Sequence, residues 1–472
     1  MSQFTDQIAA QIQTLVNDEG FLGTAHNDHL HQINDLLKSL PPAQADQVLS
    51  KLGSSDLNKW ASEVDSGGIF GARGLSQGEK KDLFNLFARD LDGTQLARAS
   101  NSFGNREDVI SLGQSVAQYA TPEAKVQYIQ QLAGKTTGNT SDIHAGALSQ
   151  TAFHGNAQAV AVGIVLASLK GNVQAIDRAV GSLTESQLQA VVQAAENQTL
   201  THYTGDLSER PPSIQTDARP LQAVLSAVAT SNDAATKARV FEAGVNGLTD
   251  IQDTNQPLMP NVGAAGDAER VQRGLTDILN SDARGVIDRL NTKDASGHAL
   301  ATYLKQVVTD NPSANNGIIG GQIAQLQGAG TGMTAKQFIG TAVRNGSSAP
   351  YYRNAENLGY YSGAVQAAIR SRTSDAKTQG DIVNNIFSTA INVATAPVEL
   401  SPGGKIGVAA FIGVTSEVVR ETVNSIAASN TKLQGAFSEL ALPRDAGSPD
   451  RYRGAADPFF QAAEEKVQVD NL

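Results

Sequence analysis

Residues 183–196 read LTESQLQAVVQAAE. Leu188, Val191, Val192 and Ala195 recur at the three- and four-residue spacing that puts apolar side chains on one face of a helix. Thr184 stands just before that stripe and Gln187 follows it three positions later. At that spacing a hydroxyl accepts from an orphan helix N–H while the amide reaches back to the cap. Working outward, Ser76 with Glu79 and Thr334 with Gln337 repeat the signature, and Thr121-Pro122-Glu123 places proline at a first helical position. The same apolar spacing appears in Leu83, Phe84, Phe87 and Leu91, and in Leu300, Tyr303, Leu304, Val307 and Val308. Period-two runs are nearly absent, and glycines such as Gly53, Gly134 and Gly181 follow helical segments where a C-terminal cap is expected.

This pattern predicts an all-α fold of irregular multi-helix bundles in two or three domains. Residues 40–53 (LPPAQADQVLSKLG) and 120–134 (ATPEAKVQYIQQLAG) share a loose form with 183–196, so an α-solenoid-like array of helical repeats is the alternative. No fixed period supports it. The expected organisation is an acidic helical region 1–64, a glycine-rich linker 65–78 and a helical domain 79–204. A proline-rich linker 205–220, a C-terminal helical domain 221–441 and a charged, proline-punctuated tail 442–472 follow, the tail read as an extended arm or mobile end over 443–460 with a candidate terminal helix after it. A further joint is expected at 254–266.

Composition narrows the function classes. The 472 residues include no cysteine, which excludes disulfides, thiolate metal sites and cysteine nucleophiles. Net charge is −11, and the first 65 residues carry nine acidic groups against Lys38, Lys51 and Lys59. Phosphate binding needs the opposite sign, so nucleic acid is not an expected partner. The first twenty residues lack the basic region and apolar run of a signal peptide. The expected location is therefore synthesis in the cytoplasm with export by a non-Sec route, to the outside or into a target cell.

Between 143 and 169 no residue carries a formal charge, and 159–169 reads as a buried helix rather than a membrane span. Residues 382–426 hold two charge-poor segments, IVNNIFSTAINVATAPV and IGVAAFIGVTSEVV, around the turn Glu399-Leu400-Ser401-Pro402-Gly403-Gly404. A hydrophobic helical hairpin is expected there. It reads first as a core hairpin and second as a membrane-insertion element, for which Ile386, Ile391, Val393, Ile406, Val408, Phe411 and Val414 are the candidates.

Other constellations have plainer readings. Gly74-Leu75-Ser76-Gln77-Gly78 matches GxSxG, but no strand precedes it and Ser76 is accounted for as a cap. His26 and His29 share a helix face and are the weak candidates for a metal; two ligands make no site, and no cofactor is expected. Asp90-Leu91-Asp92-Gly93 and Asp294-Ala295-Ser296-Gly297 read as glycine-assisted turns rather than calcium loops. The run 317–332 (GIIGGQIAQLQGAGTG) reads as a flexible connection without phosphate-loop lysine spacing. Tyr351, Tyr352, Arg353, Tyr360 and Tyr361 cluster closely; packing is the first reading and partner binding the second.

Residues 91–134 and 351–369 (YYRNAENLGYYSGAVQAAI) resemble helical stretches of large proteobacterial exported proteins of the effector or polymorphic-toxin kind. The resemblance implies delivery by a type VI or type III secretion machine, and it carries over no site residue. The expected function is an exported bacterial effector or toxin acting by membrane disturbance or protein binding in interbacterial competition, with the reading leaning away from catalysis. A carboxylate-based cell-wall hydrolase and a structural component of a phage or secretion apparatus are the alternatives. Expected partners are a secretion-machine component or export chaperone at the acidic N-terminal region, a target membrane and an immunity protein.

Overall fold

In a computed structural model, the residues described are all except 1, 19–24, 66–74, 138–142, 145–150, 154–155, 197–198, 202–212, 254–260, 262, 309–313, 344–349, 396–415, 428–436, 438–439, 443–450 and 468–472. The fold is all-α, with one small sheet. Capping chemistry starts the helices where the sequence places it. Ser76 and Glu79 form a complete capping box at α5 (Gln77–Asp90), as do Thr184 and Gln187 at α11 (Glu185–Ala195) and Thr334 and Gln337 at α18 (Ala335–Ile339). Thr121 caps α8 (Pro122–Leu132), with proline in its first turn.

The chain divides into two compact units, residues 1–236 with 246–274 and residues 237–245 with 275–472. The stretches 65–78 and 205–220 both fall inside the first unit. Of 205–220, residues 213–220 are described: strand β4 (Ser213–Gln215), the link 216–218 and the start of α12 (Arg219–Val228), whose proline sits in the first turn.

The first unit is built around α9 (Ala157–Ala167), in which Ala159, Ala161, Val162, Val165 and Leu166 are fully buried. A helix apolar on most of its circumference must be surrounded. Helices α7 (Arg106–Tyr119), α8, α11 and α12 pack around it. The approach of α7 is close: a Cβ at Gly113 would lie 2.8 Å from the Ala161 methyl. Beyond α7, Trp60 of α4 (Ser54–Asp65), Phe84 and Phe87 of α5, and Phe103 form an aromatic cluster with centroid spacings of 5.3–5.8 Å.

Four short strands were not foreseen in a sequence without period-two runs. β1 (Ile143–His144), β2 (Thr151–Phe153), β3 (Thr199–Thr201) and β4 pair antiparallel in sequence order. Ala152 faces Leu200 across one pair, and Leu200 faces Ile214 across the next. Strands of two or three residues are too short for alternation to show; pairing across tens of residues defines them.

The second unit is built around α19 (Arg353–Arg372), against which α15 (Ala283–Lys293), α16 (His298–Val307), α17 (Ala314–Leu326) and α22 (Arg451–Lys466) pack. Two sequence expectations are corrected here. The run 317–332, read as a flexible connection, lies largely in helix α17, where Ile319 and Ile323 are fully buried. Its later glycines do form the turn: Gly328, Gly330 and Gly332 all have positive φ. The candidate terminal helix of the tail begins earlier than expected: α22 takes in 451–460, read as part of the arm, because Phe460 and Ala463 bury against α19 and the interior Pro458 remains exposed.

The α19–α22 seam depends on missing side chains. A Cβ at Gly359 would lie 2.1 Å from the Phe460 carbonyl oxygen, and one at Gly363 would lie 2.8 Å from that of Glu464. A Cβ at Gly321 of α17 meets nothing within 4 Å. Alanine in a helix is favoured over glycine by about 1 kcal/mol, so Gly321→Ala should stabilise the protein by up to that amount. Gly359→Ala should destabilise it by about 1–2 kcal/mol net, since overpacking typically costs about 1–3 kcal/mol. Paired urea denaturation of the two variants checks both signs.

Glu464 faces this seam. Burial is the main reason that its carboxyl is raised from 4.5 to about 7, outweighing the Gln366 amide donating to Oε1 and nearby Arg370; Glu465 and Asp457 push the same way as burial. A raised carboxyl stabilises most below its unfolded value, and that contribution is lost as pH rises through the folded value. Stability should therefore fall between about pH 5 and 8 by roughly 1–3 kcal/mol in this term. Glu464→Gln should flatten that part of the pH–stability curve and be the more stable protein at pH 8.

Candidate functional site

Two sequence features with functional readings lie in the second unit. The first is the charge-poor hairpin. Its first arm is α20 (Ala376–Thr395), started by Asp375, whose Oδ2 accepts from Thr378 N at 2.8 Å and Oγ1 at 2.7 Å. The described helix of the second arm is α21 (Ser416–Ala427), and α20 packs on both α21 and α17. Ile382, Val383, Ile386 and Phe387 of α20 and Val419 and Ile426 of α21 are buried, while Arg420 is exposed. Phe387 meets Phe437 at 5.4 Å between ring centroids.

Of the insertion candidates, Ile386 is thus an interior residue, and Ile391 and Val393 lie along α20. Ile406, Val408, Phe411 and Val414 lie outside the described residues. Among the described residues, no helix is long and apolar enough to cross a membrane.

The second feature is the tyrosine–arginine cluster, which the fold splits in two. Tyr360 and Tyr361 are core residues, not surface groups, because they fall on the faces of α19 that its neighbours cover. The Tyr361 hydroxyl donates to Gln322 Oε1 at 2.5 Å, and burial drives its pKa well upward. Tyr351 and Tyr352 are half-buried, and their rings pack on Phe459 at 5.4 and 5.5 Å.

Arg353 is the organising group. Its Nε donates to Asp288 Oδ1 at 2.6 Å, Nη2 to the Asp288 carbonyl at 2.9 Å, and Nη1 to Glu356 Oε2 at 2.9 Å. The Tyr351 hydroxyl also donates to Glu356, whose carboxyl is raised mainly by burial. Asn357 continues the network, giving its Nδ2 to Asp288 Oδ1 at 2.8 Å and accepting Asn291 Nδ2 at 2.9 Å. Sequence reasoning singled out Arg353 but missed Asp288, Asn291 and Asn357, since Asp288 lies 65 positions away and only helix packing brings it near. The arrangement is a pre-ordered polar site of one guanidinium between two carboxylates.

The remaining candidates resolve into local structure. His26 and His29 lie on α2 (Ala25–Ser39), and His29 Nε2 is 3.9 Å from Asp18 Oδ2. His31 Nδ1 is 3.4 Å from Glu79 Oε1. Among the described residues, no three His, Asp or Glu side chains converge as metal ligands would. Ser76 holds the α5 cap, with its Oγ accepting from Glu79 N at 3.3 Å. Asp92 caps α6 (Gly93–Ser102), and a Cβ at Gly93 would come within 2.1 Å of the Ala124 carbonyl oxygen of α8. Asp294 Oδ1 accepts from Ser296 N at 3.0 Å, in a turn completed by Gly297 at φ 71°.

No protein-family model matches this sequence, and comparison with curated proteins finds no match.

Removing Arg353 would leave two carboxylates without their shared cation. Arg353→Ala should cost about 1–3 kcal/mol, the order of charge-assisted hydrogen bonds in a half-buried network, and Arg353→Lys should recover part of it by restoring charge without the planar fork. Guanidinium chloride denaturation at neutral pH measures both.

Proposed function

We propose that this chain is an exported bacterial effector that acts on a target membrane through the hairpin 382–426. The observation that supports this reading is the pairing of α20 with α21. The helix α20 packs on α21 and on α17, with Ile382, Val383, Ile386 and Phe387 of α20 and Val419 and Ile426 of α21 buried. A hairpin whose apolar surface is covered by protein in one state has that surface available to lipid in another. Neither described arm has the length and hydropathy of a span, so the proposed action is paired insertion at interfacial depth, not a single crossing helix. The absence of cysteine and the helical segments similar to exported effectors agree with delivery by a non-Sec machine. In this reading the acidic N-terminal region meets an export chaperone or machine component, and the producing cell holds an immunity protein.

Purified protein should release dye from vesicles containing anionic lipid. Val408→Asp combined with Phe411→Asp should reduce release by tenfold or more, because charge in the apolar arm costs roughly 2–3 kcal/mol per residue on insertion. Circular dichroism of the same variant controls for folding. Vesicles that stay intact at micromolar protein between pH 4 and 8 would remove the membrane reading, and turnover of isolated cell wall in its place would favour the hydrolase alternative.

A further inference from the structure

Beside the Arg353 network, within the second unit, lies a cavity of about 240 Å³ between α15, the end of α17, α18 and α19. Its volume is below the roughly 300–1,000 Å³ typical of sites for drug-sized ligands, so an occupant must be small. Its walls offer three chemistries in different places. Leu326 and Phe338 supply an apolar wall. Arg284 supplies a cation: it lines the cavity, and its guanidinium carbon stands 5.6 Å from the Phe338 ring centroid. The natural partner of a guanidinium there is an oxyanion.

The opposite polarity comes from the network already described. Asp288 uses Oδ1 for both Arg353 and Asn357, which leaves Oδ2 as an acceptor on the helix face one turn from Arg284. Asn354 gives its Nδ2 to the Phe338 carbonyl at 2.8 Å, which leaves Oδ1 as a second acceptor. Arg353 is shared between Asp288 and Glu356.

We propose that this cavity binds a small zwitterion of the α-amino acid class. The carboxylate sits on Arg284, the ammonium on Asp288 Oδ2 and Asn354 Oδ1, and a short apolar side chain lies against Leu326 and Phe338. Each end of the ligand then meets a group of complementary polarity on the cavity wall. This assignment is independent of the membrane reading, and either can fail without the other.

The test is titration calorimetry of the full chain with alanine, valine and leucine, each compared with acetate and ethylamine as single-ended probes. Alanine or valine should give saturable binding tighter than either single-ended probe. Arg284→Gln and Asn354→Leu should each weaken it about tenfold, the worth of one charge-assisted hydrogen bond, while Arg289→Gln, an exposed position on the same helix, should leave it unchanged. Should a variant fail to fold, the wild-type melting temperature still decides: it should rise with the amino acids and not with the single-ended probes. Absence of saturable binding by the wild type up to about 20 mM, weaker than the millimolar range that simple affinity arithmetic makes detectable, would overturn the proposal. So would acetate binding as tightly as alanine, which would mark a plain anion site.

Discussion

A helix buried on nearly every face has to be enclosed, and each unit of this chain is arranged around one such helix. In the first unit α9 has no polar side to give to solvent, so α7, α8, α11 and α12 take positions around it. In the second unit α19 imposes the same condition on α15, α16, α17 and α22. Enclosing a central helix brings backbones closer than ordinary side chains allow. Small residues answer that demand: Gly113 against Ala161 in one unit, Gly359 and Gly363 against the backbone of α22 in the other. Close packing of this kind gains dispersion contacts along the seam and admits little change in volume.

The enclosure also takes polar groups out of water, where each needs a partner. Lys80 and Asp108 meet at 2.6 Å with both side chains buried. The buried Tyr128 and Ser100 hydroxyls meet at 3.0 Å, and Thr276 and Tyr303 at 2.8 Å. Burial raises Tyr303 to about 12, so its phenol stays protonated as part of the packing. Such pairs add little net stability, but they penalise arrangements in which one member is left alone, and so favour one packing over its competitors. Arg284 departs from this rule, with a buried nitrogen left unpartnered in the wall of a cavity.

The two functional features draw on different properties of the second unit. The hairpin is a matter of hydrophobicity: the segments 382–398 and 406–419 carry few charges, and α17 and α21 cover apolar residues of α20. The cavity beside Arg353 is a matter of fixed polarity. Its groups are held by α15 and α19, two helices of one packed unit, and not by mobile loops, which keeps donors and acceptors in place before a ligand arrives.

The sequence alone determined what short spacing encodes. The capping boxes at Ser76, Thr184 and Thr334, the proline start at Pro122 and the turn at Gly297 all join residues two to four positions apart, and each was legible as written. Apolar recurrence at three and four likewise determined the helical class. Tertiary structure alone decided what joins distant residues. That includes the pairing of β2 with β3, the contact of Gly359 with Phe460 that docks the tail helix on α19, and the meeting of Arg353 with Asp288. The reason is physical: a local hydrogen bond is specified by the few residues that close it, whereas a distant contact exists only once the intervening helices have packed. The tyrosine cluster shows both sides, since its composition was visible in the chain, but only the enclosure of α19 sent Tyr360 and Tyr361 inward and left Tyr351 and Tyr352 near the surface.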